Sequence, residues 1–444
     1  MTDLRARVTD LLPGVLSDLA TLVAIPSVSS LPDRAGDVER TAEAVAQYAR
    51  EAGAADVKIV AEGGKPAVIA KWPAPEGAPT VCLYAHHDVQ PTGDVSLWTS
   101  DPFAVTERDG RLYGRGVVDD KAGIAVHLAA LRAFDGRPPV GVTLFVEGEE
   151  EIGSPSLARL MEVHAADLAA DVYVICDSAN WEVGAPAFTT ALRGLSDVVV
   201  TVETLDHALH SGQYGGVAPD ALTSLVRLLA TLHDADGNVA VAGLASEPPF
   251  ALEYPESRLR EETGLLEGVS FIGTGPLADR MWGRPSITVL AIDCTRVADA
   301  SNTLAPSARA KVSMRLAPSQ DAAAALEALK AHLLEHAPDG ARVSFGAQEA
   351  AGGSLVPATG EVAEVARTAY SEAWGVDVVE VGQGGSIPLV AMFQKAFPGA
   401  EVLVTGVVDP DSRMHGIDES FDLGDFTNAC IAEATLLARL APRD

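Results

Sequence analysis

Histidine and acidic residues follow short apolar runs at five places in the chain. The five clusters are His-His-Asp at residues 86–88, Asp-Asp at 119–120, Glu-Gly-Glu-Glu-Glu at 147–151, Asp177 and His415. Residues two apart on a strand face the same side, so His86 and Asp88 face one side and His87 faces the other. Together the clusters offer imidazole nitrogens and carboxylate oxygens, which predict a nitrogen and oxygen site for Zn²⁺ or Mn²⁺ rather than a thiolate site.

Neighbouring carboxylates at the end of a buried strand repel one another, and a divalent cation relieves that repulsion better than a solvated turn. Adjacent glutamates such as Glu150 and Glu151 can also divide the work, one binding metal and the other acting on a water. One carboxylate that bridges two ions, with a water between them, is a known hydrolytic arrangement. These residues therefore predict a hydrolytic metal centre, provided that the five clusters converge.

Each cluster also has a purely structural interpretation. Asp120 could be the N-cap of the helix predicted from Ala122, and the acidic residues at 149–151 could favour a helix start through the macrodipole. A single residue such as Asp177 or His415 at the end of a strand is more often structural than functional. Spacing alone leaves these alternatives open.

The elements that would position the clusters alternate along the chain in the manner of an α/β protein. Apolar runs at 80–85, 140–146 and 171–176 are typical of buried, mostly parallel strands. Helical patterns at 122–134 and 156–168 have the length that a crossover connection needs. Because open α/β sheets place their sites at the carboxyl ends of strands, this topology would bring the clusters to one edge.

A second α/β pattern begins near Arg193. Its predicted strands and helices lie at residues 196–203, 219–232, 286–292, 308–316, 321–335 and 342–345. The simplest division is a discontinuous main domain, residues 1–192 and 351–444, with a smaller domain, residues 193–350, inserted into it. A chain of 444 residues is long enough for two domains.

Composition excludes several classes of partner. The chain has 62 Asp and Glu residues but only 32 Lys and Arg residues. The resulting formal charge of -30 repels phosphate backbones and anionic membrane surfaces. Neither nucleic acid nor a membrane is therefore an expected partner. The four cysteines include no CxxC pair, and neither a signal core nor an apolar span of ~18 residues is present, so a cytoplasmic protein is expected.

The motifs resemble those of the di-zinc metallopeptidases that include carnosinase-type dipeptidases, aminoacylases, glutamate-releasing carboxypeptidases and succinyl-diaminopimelate desuccinylase. The resemblance covers nearly the whole chain and is closest to the dipeptidase branch. Its segments are AHHDVQP, LYGRGVVDDKAG, EGEEEIGSP, DHALHSGQYGGVAPDA, SNTLAPSARAKVSMRLAP, GGSIP and the late MHG. It implies a mixed, mostly parallel sheet flanked by helices, with an inserted two-layer α/β lid and dimerisation domain.

The resemblance also implies a role for each site residue. It implies two divalent ions per subunit, zinc in the first place and manganese as the alternative, and a cis peptide bond between Asp119 and Asp120. The implied ligands are His86, Asp119 and Asp177 for one ion and Asp119, Glu151 and His415 for the other. Glu150 would be the general base, and Asp88 would orient His86.

Residues of the inserted domain are implied to bind substrate. His210 would reach the site of a partner subunit in a homodimer and stabilise the oxyanion. Asn302 and Arg315 would hold polar groups of the substrate, Arg315 through its planar guanidinium, with Gly385 and Ser386 nearby. The alternatives are a surface turn for His210 and a strand salt bridge for Arg315.

The predicted function is metal-dependent hydrolysis of the amide bond of short peptides, most of all dipeptides. One alternative is the hydrolysis of N-acyl amino acids, and another is a catalytically silent binding or assembly protein.

Two departures from the resemblance bear on specificity. Gly382 and Gln383 stand where the carnosinase-like pattern carries a charged pair, and His87 stands at a position that is usually apolar.

Overall fold

The computed structural model describes residues 2–385 and 387–442. Its strands, in chain order, are β1 (Asp56–Val60), β2 (Ala67–Trp72), β3 (Thr80–His86), β4 (Thr106–Arg108), β5 (Arg111–Tyr113), β6 (Gly141–Glu147), β7 (Val172–Cys176), β8 (Ala187–Leu192), β9 (Gly194–Glu203), β10 (Leu209–His210), β11 (Ser286–Asp293), β12 (Thr303–Leu304), β13 (Ser307–Leu316), β14 (Arg342–Ala351), β15 (Ser354–Leu355), β16 (Val379–Gln383), β17 (Glu401–Thr405) and β18 (Ser420–Asp422). Its helices are α1 (Thr2–Val23), α2 (Ala35–Glu51), α3 (Lys121–Arg132), α4 (Leu157–Val163), α5 (Ala165–Leu168), α6 (Ser211–Tyr214), α7 (Ala221–Ala230), α8 (Glu256–Thr263), α9 (Ala322–Glu335), α10 (Glu361–Trp374), α11 (Pro388–Ala396) and α12 (Leu423–Leu440).

The chain forms two compact units. The first takes in the chain up to Thr190, then Val356–Val381, then the chain from Met392. The second consists of Ala191–Leu355 and Gly382–Ala391. The second unit is thus inserted in the sequence of the first.

The first unit is built on a six-stranded sheet of order β1-β2-β6-β3-β7-β17. Strands β6, β3, β7 and β17 are parallel, and β2 and β1 continue the sheet in antiparallel pairs. All residues of β6 and β7 are buried, in agreement with their continuous apolar sequences. The predicted class, a mixed and mostly parallel sheet flanked by helices, is confirmed.

Helices cover the sheet because their apolar faces require burial. Helix α3 contacts β3, α1 and α12, while α12 also packs against α10. The predicted helix over 156–168 is divided at His164 into α4 and α5. Within the described residues, no helix is both long and apolar enough to cross a membrane.

The second unit has an antiparallel sheet of order β11-β13-β9-β14, with α7 and α9 packed against it. Residues of β13 alternate between exposed and buried over much of its length, as expected for a sheet covered on one face. Its buried side chains join those of α7 and α9 in a separate apolar core. Strand β11 lies at the edge, and its residues 288–293 are exposed.

Candidate active site

Three of the predicted clusters lie at the carboxyl ends of adjacent parallel strands. His86 is the last residue of β3, Glu147 is the last residue of β6, and Asp177 follows β7 directly. Parallel strands end at the same edge of a sheet, so the order β6-β3-β7 brings these positions together. Just beyond β6, a short 3₁₀ turn at Glu150–Ile152 carries the paired glutamates to the same edge.

The other two clusters arrive on loops. Asp119 lies two residues before α3, and the peptide bond from Asp119 to Asp120 is cis. His415 lies on the loop between β17 and β18, with a left-handed backbone at φ 61°.

The first group of possible ligands surrounds His86, which is fully buried. The Nε2 atom of His86 lies 3.1 Å from Asp119 Oδ1 and 3.9 Å from Asp177 Oδ1. Asp120 is also in this group, but its carboxylate accepts the backbone N–H of Gly123 at 3.2 Å and that of His86 at 3.3 Å. Asp120 is therefore the N-cap of α3. The carboxylate of Asp119 is the better candidate ligand, because it is not used to cap the helix.

The second group consists of Asp119, Glu151 and His415. The Nε2 atom of His415 lies 2.9 Å from Asp119 Oδ2 and 3.3 Å from Glu151 Oε2. The side-chain amide of Gln90 donates a hydrogen bond of 2.8 Å to Glu151 Oε2. Asp119 thus turns one carboxylate oxygen to each group.

The arrangement fits a pair of divalent cations. Asp119 Oδ2 is buried without a hydrogen-bond partner of good geometry, although His415 Nε2 is only 2.9 Å away. Buried polar atoms normally have a partner, so an orphaned carboxylate oxygen facing a ring nitrogen suggests that both are ligands. The donors are all nitrogen and oxygen, as borderline and harder divalent metals prefer.

Proton binding in this cluster shows how strongly its charges interact. Burial alone would raise the pKa of Asp119, but the close imidazoles of His415 and His86 outweigh burial and lower it. The close carboxylates of Asp119 and Glu151 raise the pKa of His415 to about 10. Burial and the charges of neighbouring carboxylates raise the pKa of Asp177 well above its usual value. Cations bound here would replace these protons.

Glu150 has surroundings suited to proton transfer. Burial, helped by the charges of Glu151 and Asp119, raises the pKa of Glu150 to about 7. The carboxylate of Asp88 accepts the backbone N–H groups of Glu150 and Glu151, each at 3.2 Å. His86 Nδ1 lies 3.0 Å from the backbone oxygen of Asp88 and 3.5 Å from its carboxylate. Asp88 therefore contacts the paired glutamates as well as the histidine that it was expected to orient.

His87 belongs to neither ligand group. It is fully buried, and its Nε2 atom lies 2.8 Å from the carbonyl oxygen of Pro66. Burial lowers the pKa of His87 to about 4, so the ring is neutral at pH 7.

In the second unit the structure brings two of the predicted substrate residues together. Strand β10 pairs with β12, so that His210 lies opposite Thr303, and the N–H of Ser211 donates to the carbonyl of Asn302 at 2.9 Å. Both His210 and Asn302 are exposed. Arg315 lies on β13, between β9 and β11, and is partly exposed.

The glycine-rich segment at the end of β16 accounts for one departure in the sequence, the glycine at position 382. A Cβ atom added at Gly382 would lie 2.4 Å from Cβ of Trp282, so the ring of Trp282 leaves no room for a charged side chain there. Gly385, two residues after the end of β16, is exposed. Ser386 lies outside the described residues.

Two close neighbours of the site were not predicted from the sequence. Gln90 holds Glu151, and its position two residues after Asp88 in the same motif could have suggested this contact. Glu419 accepts the backbone N–H of Asp119 at 3.2 Å, yet nothing in the sequence around it signals a link to residues some 300 positions earlier.

Comparisons with known proteins agree with the motifs. The model of peptidase family M20/M25/M40 matches residues 82–439. The cysteinylglycine-S-conjugate dipeptidase of Corynebacterium striatum is 34% identical over 430 residues, which cover 95% of this chain and 94% of that protein. The predicted resemblance to dipeptidases of this family is confirmed.

Two solved structures share the fold. One is the dipeptidase Dug1p of Saccharomyces cerevisiae, with a TM-score of 0.79, 23% identity and coverage of 99% of this chain and 98% of that one. The other is human carnosine dipeptidase 1, with a TM-score of 0.77, 24% identity and coverage of 99% of both chains. The chain therefore belongs to peptidase family M20/M25/M40, a family of metal-dependent peptidases.

Proposed function

We propose that this protein is a dinuclear metallopeptidase that hydrolyses dipeptides. The observation that carries the proposal is the position of Asp119, whose two carboxylate oxygens face His86 on one side and His415 on the other, at 3.1 Å and 2.9 Å. The relatives named above are dipeptidases, which supports a substrate of two residues.

Each ion would have three ligands from this chain. His86, Asp119 and Asp177 would hold one, and Asp119, Glu151 and His415 would hold the other. Zn²⁺ is the first expectation for both ions and Mn²⁺ the alternative. When bound, such a pair would polarise the scissile carbonyl and lower the pKa of a water between the ions.

Glu150 would act as the general base. It would take the proton of the attacking water and pass it to the leaving amine. The hydrogen bonds from the backbone N–H groups of Glu150 and Glu151 to Asp88 support this role, because they fix the turn that carries both glutamates.

Residues 1–192 and 351–444 would form the catalytic domain, and residues 193–350 the lid and dimerisation domain. Arg315 would bind the carboxylate of the dipeptide through its guanidinium, with the backbone at Gly385 and Ser386 beside it. Asn302 would hold a polar group of the substrate, and His210 would act on the scissile carbonyl in the site of a partner subunit.

The edge of the second unit supports a homodimer. Strand β11 exposes its backbone edge and the side chains of Val289, Leu290 and Ile292, and an uncovered apolar edge favours pairing with another chain. Leu290→Glu should convert the dimer to a monomer in light scattering. Leu334→Glu is the matched control, because Leu334 on α9 is equally exposed, at 54% against 55%. A monomeric wild-type protein would refute this interface.

A substrate panel tests the function. Hydrolysis of unblocked dipeptides is expected with added Zn²⁺ or Mn²⁺, whereas acetyl- and succinyl-amino acids should react far more slowly. Faster hydrolysis of the acylated compounds would favour an N-acyl-amino-acid hydrolase instead. Elemental analysis of the purified protein should find about two divalent ions per chain, and a protein without them would favour a silent binding role.

A further inference from the structure

A buried carboxylate, Glu419, connects the loops that carry Asp119 and His415. Its Oε2 atom accepts from the backbone N–H of Gly116 at 2.9 Å. Its Oε1 atom accepts from the N–H groups of Val118 at 3.0 Å and Asp119 at 3.2 Å. One side chain thus fixes three amides of the segment that ends at Asp119.

Arg115 completes the connection. Its Nη1 atom donates to Glu419 Oε2 at 2.6 Å, and its Nη2 atom donates to the carbonyl of Gly416 at 2.9 Å. Gly416 follows His415 directly. Both side chains of the pair are buried, Arg115 at 2% exposure and Glu419 at 0%. The ion pair therefore bonds to one segment beside Asp119 and to another beside His415.

The loop around His415 needs such an anchor. Arg413, His415 and Asp418 are not glycines, yet they have left-handed backbones with φ of 51°, 61° and 58°. Conformations of this kind persist only where the surrounding contacts impose them. The side chain of His415 is itself half exposed, so burial alone does not fix it. On the far side of the loop, Asp418 is held by the N–H and hydroxyl of Thr99 at 2.9 Å and 2.6 Å.

We propose that Glu419 and Arg115 are positioning residues for the second metal ion. They set the distance between Asp119 and His415 in advance, so that the ion binds without first ordering the two loops. This inference rests on the proposed dinuclear site and adds residues that bind no ion themselves. Residues behind metal ligands commonly contribute roughly ten- to a hundred-fold to metal affinity.

The competing interpretation is that the pair only stabilises the fold, because breaking a buried ion pair is costly wherever it lies. The chain offers a matched control. Glu433 and His127 form another fully buried pair at 2.8 Å, and their bonds connect α12, α3 and the carbonyl of Tyr84 in β3. Glu433→Gln should lower thermal stability to a similar degree without moving the ligand loops.

The test compares Zn²⁺ affinity of the full-length protein by competition with a chromophoric chelator. Glu419→Gln is expected to weaken binding of one of two ions by roughly ten- to a hundred-fold, while Glu433→Gln binds both as tightly as wild type. Arg115→Lys keeps the charge but cannot reach Glu419 and Gly416 together, so it should show a smaller loss. It also serves as the test if Glu419→Gln does not fold.

The outcomes separate this inference from the proposed function. If wild type binds two ions and the variants at 419 and 115 bind them with unchanged affinity, the pair is only structural and the inference is overturned. An equal loss of affinity in Glu433→Gln would overturn it as well, since any buried pair would then suffice. If wild type binds no divalent ion, the proposed function itself has failed.

Discussion

Glu150 and Glu151 are neighbours in the chain but have different surroundings. Glu151 accepts a hydrogen bond from Gln90 and lies 3.3 Å from His415, so its carboxylate is directed at the second ligand group. Glu150 is partly buried, and burial raises its pKa to about 7. Environment, rather than residue type, would divide the two proposed roles, general base and metal ligand, between identical side chains.

At the residue scale we predict that Glu150→Gln abolishes turnover and spares metal binding. The amide cannot take up the proton, and loss of a general base typically costs 10²- to 10⁴-fold in kcat. Metal content, measured by elemental analysis, should equal that of wild type. Glu151→Gln is the neighbouring control and should lose about one ion per chain. Metal loss in Glu150→Gln would show that the two roles have been assigned the wrong way round.

At the scale of elements, the parallel strands bury ionisable side chains at their ends, where burial favours the neutral form. Glu147 ends β6 between β2 and β3 and is almost fully buried, and burial raises its pKa to about 8. Tyr84 of β3 donates to its Oε2 atom at 2.9 Å. The folded chain therefore holds a proton on Glu147 that the unfolded chain releases at lower pH.

This difference makes stability depend on pH in a definite direction. Because the folded pKa is above the unfolded one, the folded state binds more protons between about pH 4.5 and 8, and its stability falls as pH rises through that range. Glu147→Gln removes the titration. The measurement is urea unfolding of the metal-free protein at pH 5 and pH 8.5. The free energy of unfolding of the variant minus that of wild type should be more than about 1 kcal/mol larger at pH 8.5 than at pH 5.

Glu39, exposed on α2, provides the surface control for that experiment. Glu39→Gln removes the same charge without removing a buried carboxyl. A gain for Glu147→Gln that is the same at both pH values would mean that Glu147 does not titrate between them.

At the scale of the whole molecule, the proposed homodimer makes His210 and Glu150 parts of one site supplied by two chains. The prediction is that two inactive variants restore each other. Random pairing of His210→Ala and Glu150→Gln chains makes half of the dimers mixed, and each mixed dimer has one complete site, so about a quarter of wild-type activity should return.

The measurement is dipeptide hydrolysis by co-expressed chains carrying different affinity tags, with each variant alone as control. His210→Ala should retain both ions, since His210 is not a proposed ligand. Mixed dimers without activity would place His210 and Glu150 in the site of the same chain. A fully active His210→Ala would remove His210 from the reaction.

The sequence by itself determined the local elements and the chemistry that each one carries. Apolar runs of the right length predicted β3, β6 and β7, and the residues after them offered imidazoles and carboxylates in motifs of recognisable spacing. It also predicted a second α/β pattern, residues 193–350, inserted into the first. These features depend on neighbours within a few residues, which is the range over which side-chain periodicity and turn chemistry act.

Only the tertiary structure decided which clusters meet. The order β6-β3-β7-β17 and the loop after β17 bring His415 to Asp119 across nearly 300 residues of chain. The tertiary structure also showed that Asp120 caps α3 and that Glu419 accepts a hydrogen bond from the backbone of Asp119. Such contacts depend on the order of strands in a sheet and on the need of buried charges for hydrogen-bond partners. Neither strand order nor this need produces a periodic pattern in the sequence.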